Sequence, residues 1–120
     1  MDHLTPQQVA ALMTDATRPA PVLLDVREAW EYDTARLAGT TSLPMSTLAS
    51  RIAEIEALQE AAGDGAADDP PRSIVCICHH GARSMQVAAF LEHHGLANII
   101  NMTGGIHAWS QQVDPAVPIY

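Results

Sequence analysis

The chain has 120 residues, a formal net charge of −8, 48% hydrophobic residues and 17% charged residues. This composition predicts one globular domain over residues 1–120 with a buried core, and it excludes a disordered chain. The negative charge argues against nucleic acid or an anionic membrane surface as a partner, because both need basic patches. A small anionic substrate stays compatible with it, since surface charge is largely screened beyond about 8 Å.

Nothing in the sequence predicts a membrane span or an export signal. No apolar run approaches the ~20 residues that cross a bilayer, and the first six residues lack the basic and hydrophobic regions of a signal peptide. The two cysteines, Cys76 and Cys78, lie one residue apart on a predicted strand, where a disulfide between them would require distorted geometry. We therefore expect reduced thiols in a cytoplasmic protein.

The N-terminal third of the chain predicts a helix followed by a buried strand. Thr5 is a suitable N-cap, Pro6 fits the first helical position and Gln8 completes a capping box. Val22–Val26 is short, apolar and bounded by a proline and a charged residue, which is typical of a strand buried on both faces of a parallel sheet. A short helix is predicted to begin at Arg27.

The middle of the chain continues this alternation. A short β-prone segment ends at Pro44, and Ser46 is placed to cap a helix with apolar residues at helical spacing as far as Leu58. Residues 61–71 are small, acidic and end in two prolines. We expect a surface loop there, because this stretch has little to bury. Ile74–Cys78 is the next predicted strand.

The last third contains the most regular helix of the sequence. Arg83–His94 carries apolar residues at helical spacing and ends at Gly95. A short strand at Asn98–Met102 follows, and then a final helix from residue 106 to about residue 112, anchored by Trp109. Strands that alternate with helices predict an α/β fold with a mainly parallel sheet of four to five short strands.

The residues around Cys78 have the pattern of a nucleophile in an anion-binding loop. The strand Ile74–Cys78 passes through a turn that contains Gly81 into the helix that Arg83 opens. Such a tight loop points backbone N–H groups inward, and the helix dipole adds positive potential. We therefore expect the loop to stabilise the thiolate of Cys78, whereas Cys76, inside the apolar run, is expected to pack in the core.

Four motifs, in order along the chain, carry a resemblance to a known family. They are Asp25-Val26-Arg27-Glu28 followed by Trp30-Glu31-Tyr32, Gly39 ahead of Pro44, Cys78-His79-His80-Gly81-Ala82-Arg83-Ser84, and Gly104-Gly105-Ile106-His107-Ala108-Trp109. Together they resemble a single-domain rhodanese over nearly the whole chain. The resemblance implies a three-layer α/β sandwich with helices on both faces of the sheet. It also implies a sulfurtransferase, or a sulfur-handling module, that needs no cofactor.

The same resemblance implies roles for individual residues. The thiolate of Cys78 is the expected nucleophile, which attacks the outer sulfur of a small anionic donor such as thiosulfate and carries it as a persulfide to cyanide or to a thiol, including a protein thiol. Asp25 and Arg27 are expected to support the loop from the neighbouring strand end, with an ordinary surface ion pair as the alternative. The residues expected to bind substrate are His79, His80, Gly81, Ala82, Arg83 and Ser84.

One turn departs from the family pattern. Arg36-Leu37-Ala38-Gly39 stands where family members often have His-Ile-Pro-Gly, which puts a role of this turn in the site in doubt. A zinc site built from Cys76, Cys78, His79 and His80 is not expected either, because structural zinc ligands are usually spaced more widely.

Two other functions fit parts of the sequence. Phosphatases and arsenate reductases also use a cysteine, an amide-lined loop and an arginine, but they place five residues between the two, whereas Cys78 and Arg83 are separated by four. The shorter loop suits a single sulfur atom better than a tetrahedral oxyanion and favours sulfur transfer. The other alternative is a non-catalytic or partner-dependent module that carries persulfide sulfur.

Overall fold

Five short parallel strands form one sheet at the centre of the fold. The computed structural model describes residues 1–60 and 71–120. The strands are β1 (Asp2–Leu4), β2 (Val22–Asp25), β3 (Thr40–Ser42), β4 (Ile74–Ile77) and β5 (Ile99–Met102), in the spatial order β1-β5-β4-β2-β3. The helices are α1 (Pro6–Met13), α2 (Ala29–Thr34), α3 (Met45–Leu48), α4 (Ile52–Glu60), α5 (Ala82–His93) and α6 (Gly105–Gln112).

The strand order places the candidate site between β2 and β4. From β2 the chain moves to β3 at one edge of the sheet, and from β4 it moves to β5 on the other side. The direction in which successive strands are added to the sheet therefore reverses between β2 and β4. These two strands pair in parallel, with Asp25 opposite Ile77. In open α/β sheets ligands bind outside the carboxyl ends of the strands at such a reversal. Cys78 follows β4 at this point.

Helices cover both faces of the sheet and produce two separate cores. Every residue of β2, β4 and β5 is buried, as expected for parallel strands between two helical layers. The core that contains both cysteines is formed by β2, β4 and residues of α3, α4 and α5, including Leu48, Ile55, Val87 and Leu91. The opposite core joins Leu23 and Val75 to residues of α1 and α6, including Val9, Ile106 and Trp109. The predicted three-layer α/β sandwich is confirmed.

The helix boundaries follow the sequence signals at two termini. Thr5 caps α1 through a complete capping box with Gln8. Helix α5 ends at His93, and Gly95 adopts a φ of +87°. The amide of Gly95 then donates to the carbonyl of Glu92 (2.9 Å), which leaves few carbonyls of the last turn without a donor. Both termini were predicted from these residues.

The helix predicted from Ser46 to Leu58 is instead two helices. Pro44 is the N-cap of α3, and Ser46 lies inside that helix with its hydroxyl directed to the carboxylate of Glu28 (3.3 Å). The break between α3 and α4 follows Leu48. There the Ser50 hydroxyl donates to the carbonyl of Thr47 (2.9 Å), so that a side chain competes with the helical backbone pattern.

One strand had no counterpart in the sequence analysis. Strand β1 pairs in parallel with β5, with His3 opposite Asn101. It has only three residues and little buried surface, so no alternating pattern marks it. The predicted loop at 61–71 falls, except for its last residue, outside the described residues. None of the helices within residues 1–60 and 71–120 has the length and hydropathy of a membrane span.

Candidate active site

Cys78 occupies the first position after the central strand, with its side chain buried. The backbone N–H of Gly81 donates to its Sγ at 2.9 Å. The thiol lies 3.3 Å from the hydroxyl oxygen of Ser84, to which it can donate. Because Gly81 is the N-cap of α5, the free N–H groups of the first helical turn lie directly beyond this loop. The sulfur therefore lies in an environment that favours negative charge.

The conformation of Gly81 brings its amide to the sulfur. Its φ of +107° lies in the region that side chains rarely adopt. An added Cβ would also lie only 3.1 Å from the backbone nitrogen of Gly104. Glycine is therefore required here both for the turn and for the close approach of the next loop.

Helix α6 fixes the backbone of the cysteine loop from the other side. The N–H of Ile106 donates to the carbonyl of Cys78 (2.8 Å), and the N–H of His107 donates to the carbonyl of His79 (3.1 Å). Gly105 allows this contact, since a Cβ there would clash with both carbonyl groups. The Gly104-Gly105 motif thus lies against the cysteine loop and holds it in place.

Ser84 connects the loop to the neighbouring strand. Its hydroxyl is fully buried and lies 2.5 Å from Oδ1 of Asn101 and 3.1 Å from the carbonyl of Gly81. Ser84 was predicted from the sequence to lie in the site, whereas Asn101 was not. The signal was available, because Asn101 is the single polar residue within the buried run of β5.

Arg83 is held by an acidic residue, Glu31, for which no role in the site was predicted from the sequence. Its guanidinium forms two hydrogen bonds with the carboxylate of Glu31, at 2.5 and 2.8 Å. The side chain of Glu31 is 5% exposed and that of Arg83 is 32% exposed. The hydrogen bonds from Arg83 outweigh the opposing effect of burial and lower the pKa of the Glu31 carboxyl to about 2, while the pKa of Arg83 is raised. The pair is charged at neutral pH, and Arg83 has a defined orientation.

Asp25 and Arg27 form a fully buried ion pair, so the alternative of a surface pair is wrong. Burial opposes the charge of Arg27, but hydrogen bonds to Asp25 and to the hydroxyl of Tyr120 outweigh it and raise its pKa. Arg27 donates to Asp25 Oδ2 at 2.7 Å and to Tyr120 Oη at 2.8 Å. Tyr120 in turn donates to Glu31 (2.9 Å). A continuous polar chain therefore joins the end of β2 to Arg83.

Tyr120 also reaches the cysteine loop directly. Its ring stacks on that of His79, with the centroids 4.0 Å apart and the planes 8° from parallel. Burial, together with the positive charge that His80 can carry, lowers the pKa of His79, which therefore favours the neutral imidazole. The proline-rich tail was predicted only to lack a helix, and nothing in its sequence marked Tyr120 as part of this region.

Cys76 has the opposite environment to that expected of a reactive thiol. It is 0% exposed within the core below the site. Burial, with a smaller contribution from the neighbouring Cys78, raises the pKa of its thiol to about 12. Both cysteines are free. Cys76 thus remains a neutral core residue.

Comparison with known proteins identifies the family. The sequence model of the rhodanese-like domain matches residues 5–112, and the chain belongs to this family. Its arrangement of five parallel strands with a cysteine after the central one is accordingly the rhodanese fold.

Three relatives illustrate the range of the family. The "adenylyltransferase and sulfurtransferase MOCS3-2" of Zea mays is 34% identical over 99 residues, which are 82% of this chain and 19% of that protein. The solved structure of a rhodanese-related protein from Thermoplasma volcanium is 26% identical, with a TM-score of 0.72 over all of both chains. That of a thiosulfate sulfurtransferase from Pseudomonas aeruginosa is 27% identical, with a TM-score of 0.69 over 92% of this chain and 19% of that one.

The chain is therefore related to sulfurtransferase domains. It spans between 19% and 30% of the length of the first curated relatives that it matches.

Proposed function

We propose that this domain transfers a sulfane sulfur from a small anionic donor, such as thiosulfate, to a nucleophilic acceptor through a persulfide on Cys78. The observation that carries the proposal is the N–H of Gly81, which is directed at Sγ of Cys78 at a distance of 2.9 Å. A preorganised amide of this kind stabilises negative charge on sulfur without rearrangement during the reaction.

The first half of the reaction loads the enzyme. The thiolate of Cys78 attacks the outer sulfur of thiosulfate and forms a new S–S bond, while the S–S bond of the donor breaks and its electron pair leaves with sulfite. The persulfide remains on Cys78, and its outer sulfur shares the space beside the loop amides. Arg83, oriented by Glu31 and partly exposed, supplies a positive charge for the sulfonate end of the donor.

The second half restores the thiolate. An acceptor nucleophile, either cyanide or a thiol, attacks the outer sulfur of the persulfide. The S–S bond to Cys78 breaks, and its electron pair returns to Sγ, where the Gly81 amide stabilises it again. Cyanide gives thiocyanate in this step, and a thiolate acceptor gives a new persulfide. The cycle requires no cofactor, and its dependence on a reduced thiol suits the cytoplasm.

A partner-dependent carrier is the second candidate function. It is favoured by the curated relatives named as both adenylyltransferase and sulfurtransferase, in which the matched region is only 19% to 28% of the protein. In such a context the persulfide on Cys78 would be loaded from one protein and delivered to a thiol of another. Thiosulfate would then act only as a laboratory donor.

Steady-state kinetics test the proposed function. With thiosulfate and cyanide varied together, formation of thiocyanate should follow ping-pong kinetics, since the donor product leaves before the acceptor reacts. The same preparation should release no phosphate from a phosphate monoester. Phosphatase activity without sulfur transfer would assign the loop to the alternative chemistry.

A further inference from the structure

Three histidines meet beside the cysteine loop, and no step of the proposed sulfur transfer uses their imidazole rings. His79 and His80 follow Cys78 in the loop, whereas His107 lies in the first turn of α6. One ring nitrogen from each histidine lies within 4.8 Å of the other two. Within the part of the chain that the structure describes, no other set of three histidine, cysteine or acidic side chains converges in this way.

The backbone of the fold brings these residues together. The amide of His107 donates to the carbonyl of His79 at 3.1 Å, and the adjacent amide of Ile106 donates to the carbonyl of Cys78 at 2.8 Å. These bonds keep α6 and the loop in a fixed relation. The ring of His79 is further held by the stacked ring of Tyr120. The ring of His79 and the backbone of His107 are therefore positioned before any ligand arrives.

Two ring nitrogens of the cluster lack a hydrogen-bond partner. Nε2 of His79 and Nδ1 of His107 are buried and unpartnered, and among the described residues no other buried side-chain nitrogen or oxygen is in this condition. Leaving a buried polar atom without a partner costs roughly 1–3 kcal/mol. The lone pair of a neutral imidazole nitrogen is the commonest metal ligand that proteins offer. A metal ion held by this cluster is a partner suited to such imidazole nitrogens.

We propose that His79, His80 and His107 form a binding site for a divalent transition-metal ion, and that zinc is the ion it takes. Zinc binds imidazole nitrogens at about 2.0–2.1 Å with tetrahedral geometry, which separates the ligand atoms by about 3.3 Å. His80 is exposed and its ring can move to close the remaining distance.

This ligand set differs from the one considered in the sequence analysis. That set used both cysteines and did not contain His107, which is 27 positions from His80 and reaches the loop only through the Gly104-Gly105 turn. Three histidine ligands leave one position of a tetrahedral ion open. A water molecule, an anion or the thiolate of a sulfur acceptor can occupy it.

Zinc binding by the whole chain tests the site. Isothermal titration with zinc chloride alone, on reduced Cys78→Ser protein, should give one ion per chain, because that background removes the thiol nearest to the cluster. His80→Ala and His107→Ala should each weaken binding about tenfold or more. The matched control is His93→Ala/His94→Ala, which removes two exposed histidines at the C-terminal end of α5 and should leave zinc binding unchanged.

Cobalt(II) gives an independent readout of the ligands. Bound in place of zinc to the protein with both cysteines intact, it should show tetrahedral ligand-field absorption without a thiolate-to-cobalt charge-transfer band. His107→Gln provides a second variant if His107→Ala does not fold, as checked by circular dichroism. Absence of saturable zinc binding, unchanged affinity in a folded His107 variant, or a thiolate band with cobalt would overturn the proposal. Because none of these measurements uses thiosulfate, the outcome is independent of the proposed sulfur transfer.

Discussion

The carboxylate of Glu31 holds the guanidinium of Arg83 through two hydrogen bonds, of 2.5 and 2.8 Å, although the residues are 52 positions apart in the chain. The hydroxyl of Tyr120 donates to the same carboxylate at 2.9 Å. An acidic residue in α2 and a residue of the C-terminal tail therefore determine how the arginine of the cysteine loop is oriented.

This ion pair should make the free energy of unfolding depend on pH in the acid range. The Arg83 hydrogen bonds lower the pKa of the Glu31 carboxyl from 4.5 to about 2. The pair therefore contributes fully to the free energy of unfolding when the pH is above the pKa of this carboxyl in the unfolded chain. That contribution is lost as the pH falls toward 2. The lost contribution is about 2–3 kcal/mol. Urea unfolding of the wild type and of Glu31→Gln, measured between pH 7 and pH 2.5, should show the difference between them shrinking as the pH falls.

A matched control is the Arg51–Glu54 pair, whose side chains are both exposed. Glu54→Gln should leave the free energy of unfolding at neutral pH unchanged within error, because exposed pairs contribute little. If Glu54→Gln destabilises the protein as much as Glu31→Gln does, the low pKa of Glu31 does not reflect a special contact.

The charge of Arg83 should matter for the anionic donor separately from its role in stability. Arg83→Ala alone leaves the buried carboxylate of Glu31 without a partner, so the informative variant is Arg83→Ala/Glu31→Gln. We expect kcat/KM for thiosulfate to fall at least about tenfold relative to Glu31→Gln, equivalent to about 1.4 kcal/mol of transition-state stabilisation. Equal kcat/KM values in the two variants would remove Arg83 from donor binding.

Gly81→Ala should both destabilise the fold and prevent the cysteine loop from supporting persulfide formation. Its φ of +107° makes a side chain unfavourable, and the Cβ would press against the backbone nitrogen of Gly104. We expect the free energy of unfolding to fall by about 1–3 kcal/mol and persulfide formation to be lost, since the amide that contacts Sγ is displaced.

Gly39→Ala is the control for backbone strain alone. Gly39 also has a positive φ, of +79°, but an added Cβ would meet no atom within 4 Å. This variant should lose stability through strain and keep its sulfur transfer. Loss of transfer in both variants would indicate that the effect of Gly81→Ala is general destabilisation.

Tyr120→Phe should weaken the polar chain without removing the ring that stacks on His79. The hydroxyl bridges Arg27 Nη1 (2.8 Å) and Glu31 Oε2 (2.9 Å). Without the hydroxyl, the charged groups of Arg27 and Glu31 each lose one hydrogen-bond partner. We expect the free energy of unfolding to fall by about 1–3 kcal/mol. Tyr32→Phe removes a hydroxyl that contacts only Thr40 and should cost less. The reverse order, measured by urea unfolding, would contradict the bridging role.

The sequence was most informative where local signals suffice. The buried run before Cys78 and the polar turn at Gly81 predicted the strand, the loop and the start of α5, because each of these depends on neighbouring residues. The split between α3 and α4 was missed, since it depends on the Ser50 hydroxyl competing for the backbone carbonyl of Thr47.

The rest of the candidate site could not be read from sequence for a physical reason. Glu31, Tyr120 and His107 reach the loop only through the order of the strands and the packing of helices around them, and no local spacing relates them to Cys78. Asn101 was the exception, because a single polar residue in a buried strand indicates a buried hydrogen bond. It bonds to Ser84.

The most direct test of the central claim is the mass of the protein after exposure to donor. Reduced wild-type protein incubated with thiosulfate should gain the mass of one sulfur atom, and cyanide should remove it. Cys76→Ala should behave in the same way, and Cys78→Ser should gain nothing. Uptake of sulfur by Cys78→Ser, or a wild-type protein whose mass does not change, would contradict the assignment of Cys78 as the carrier of the persulfide.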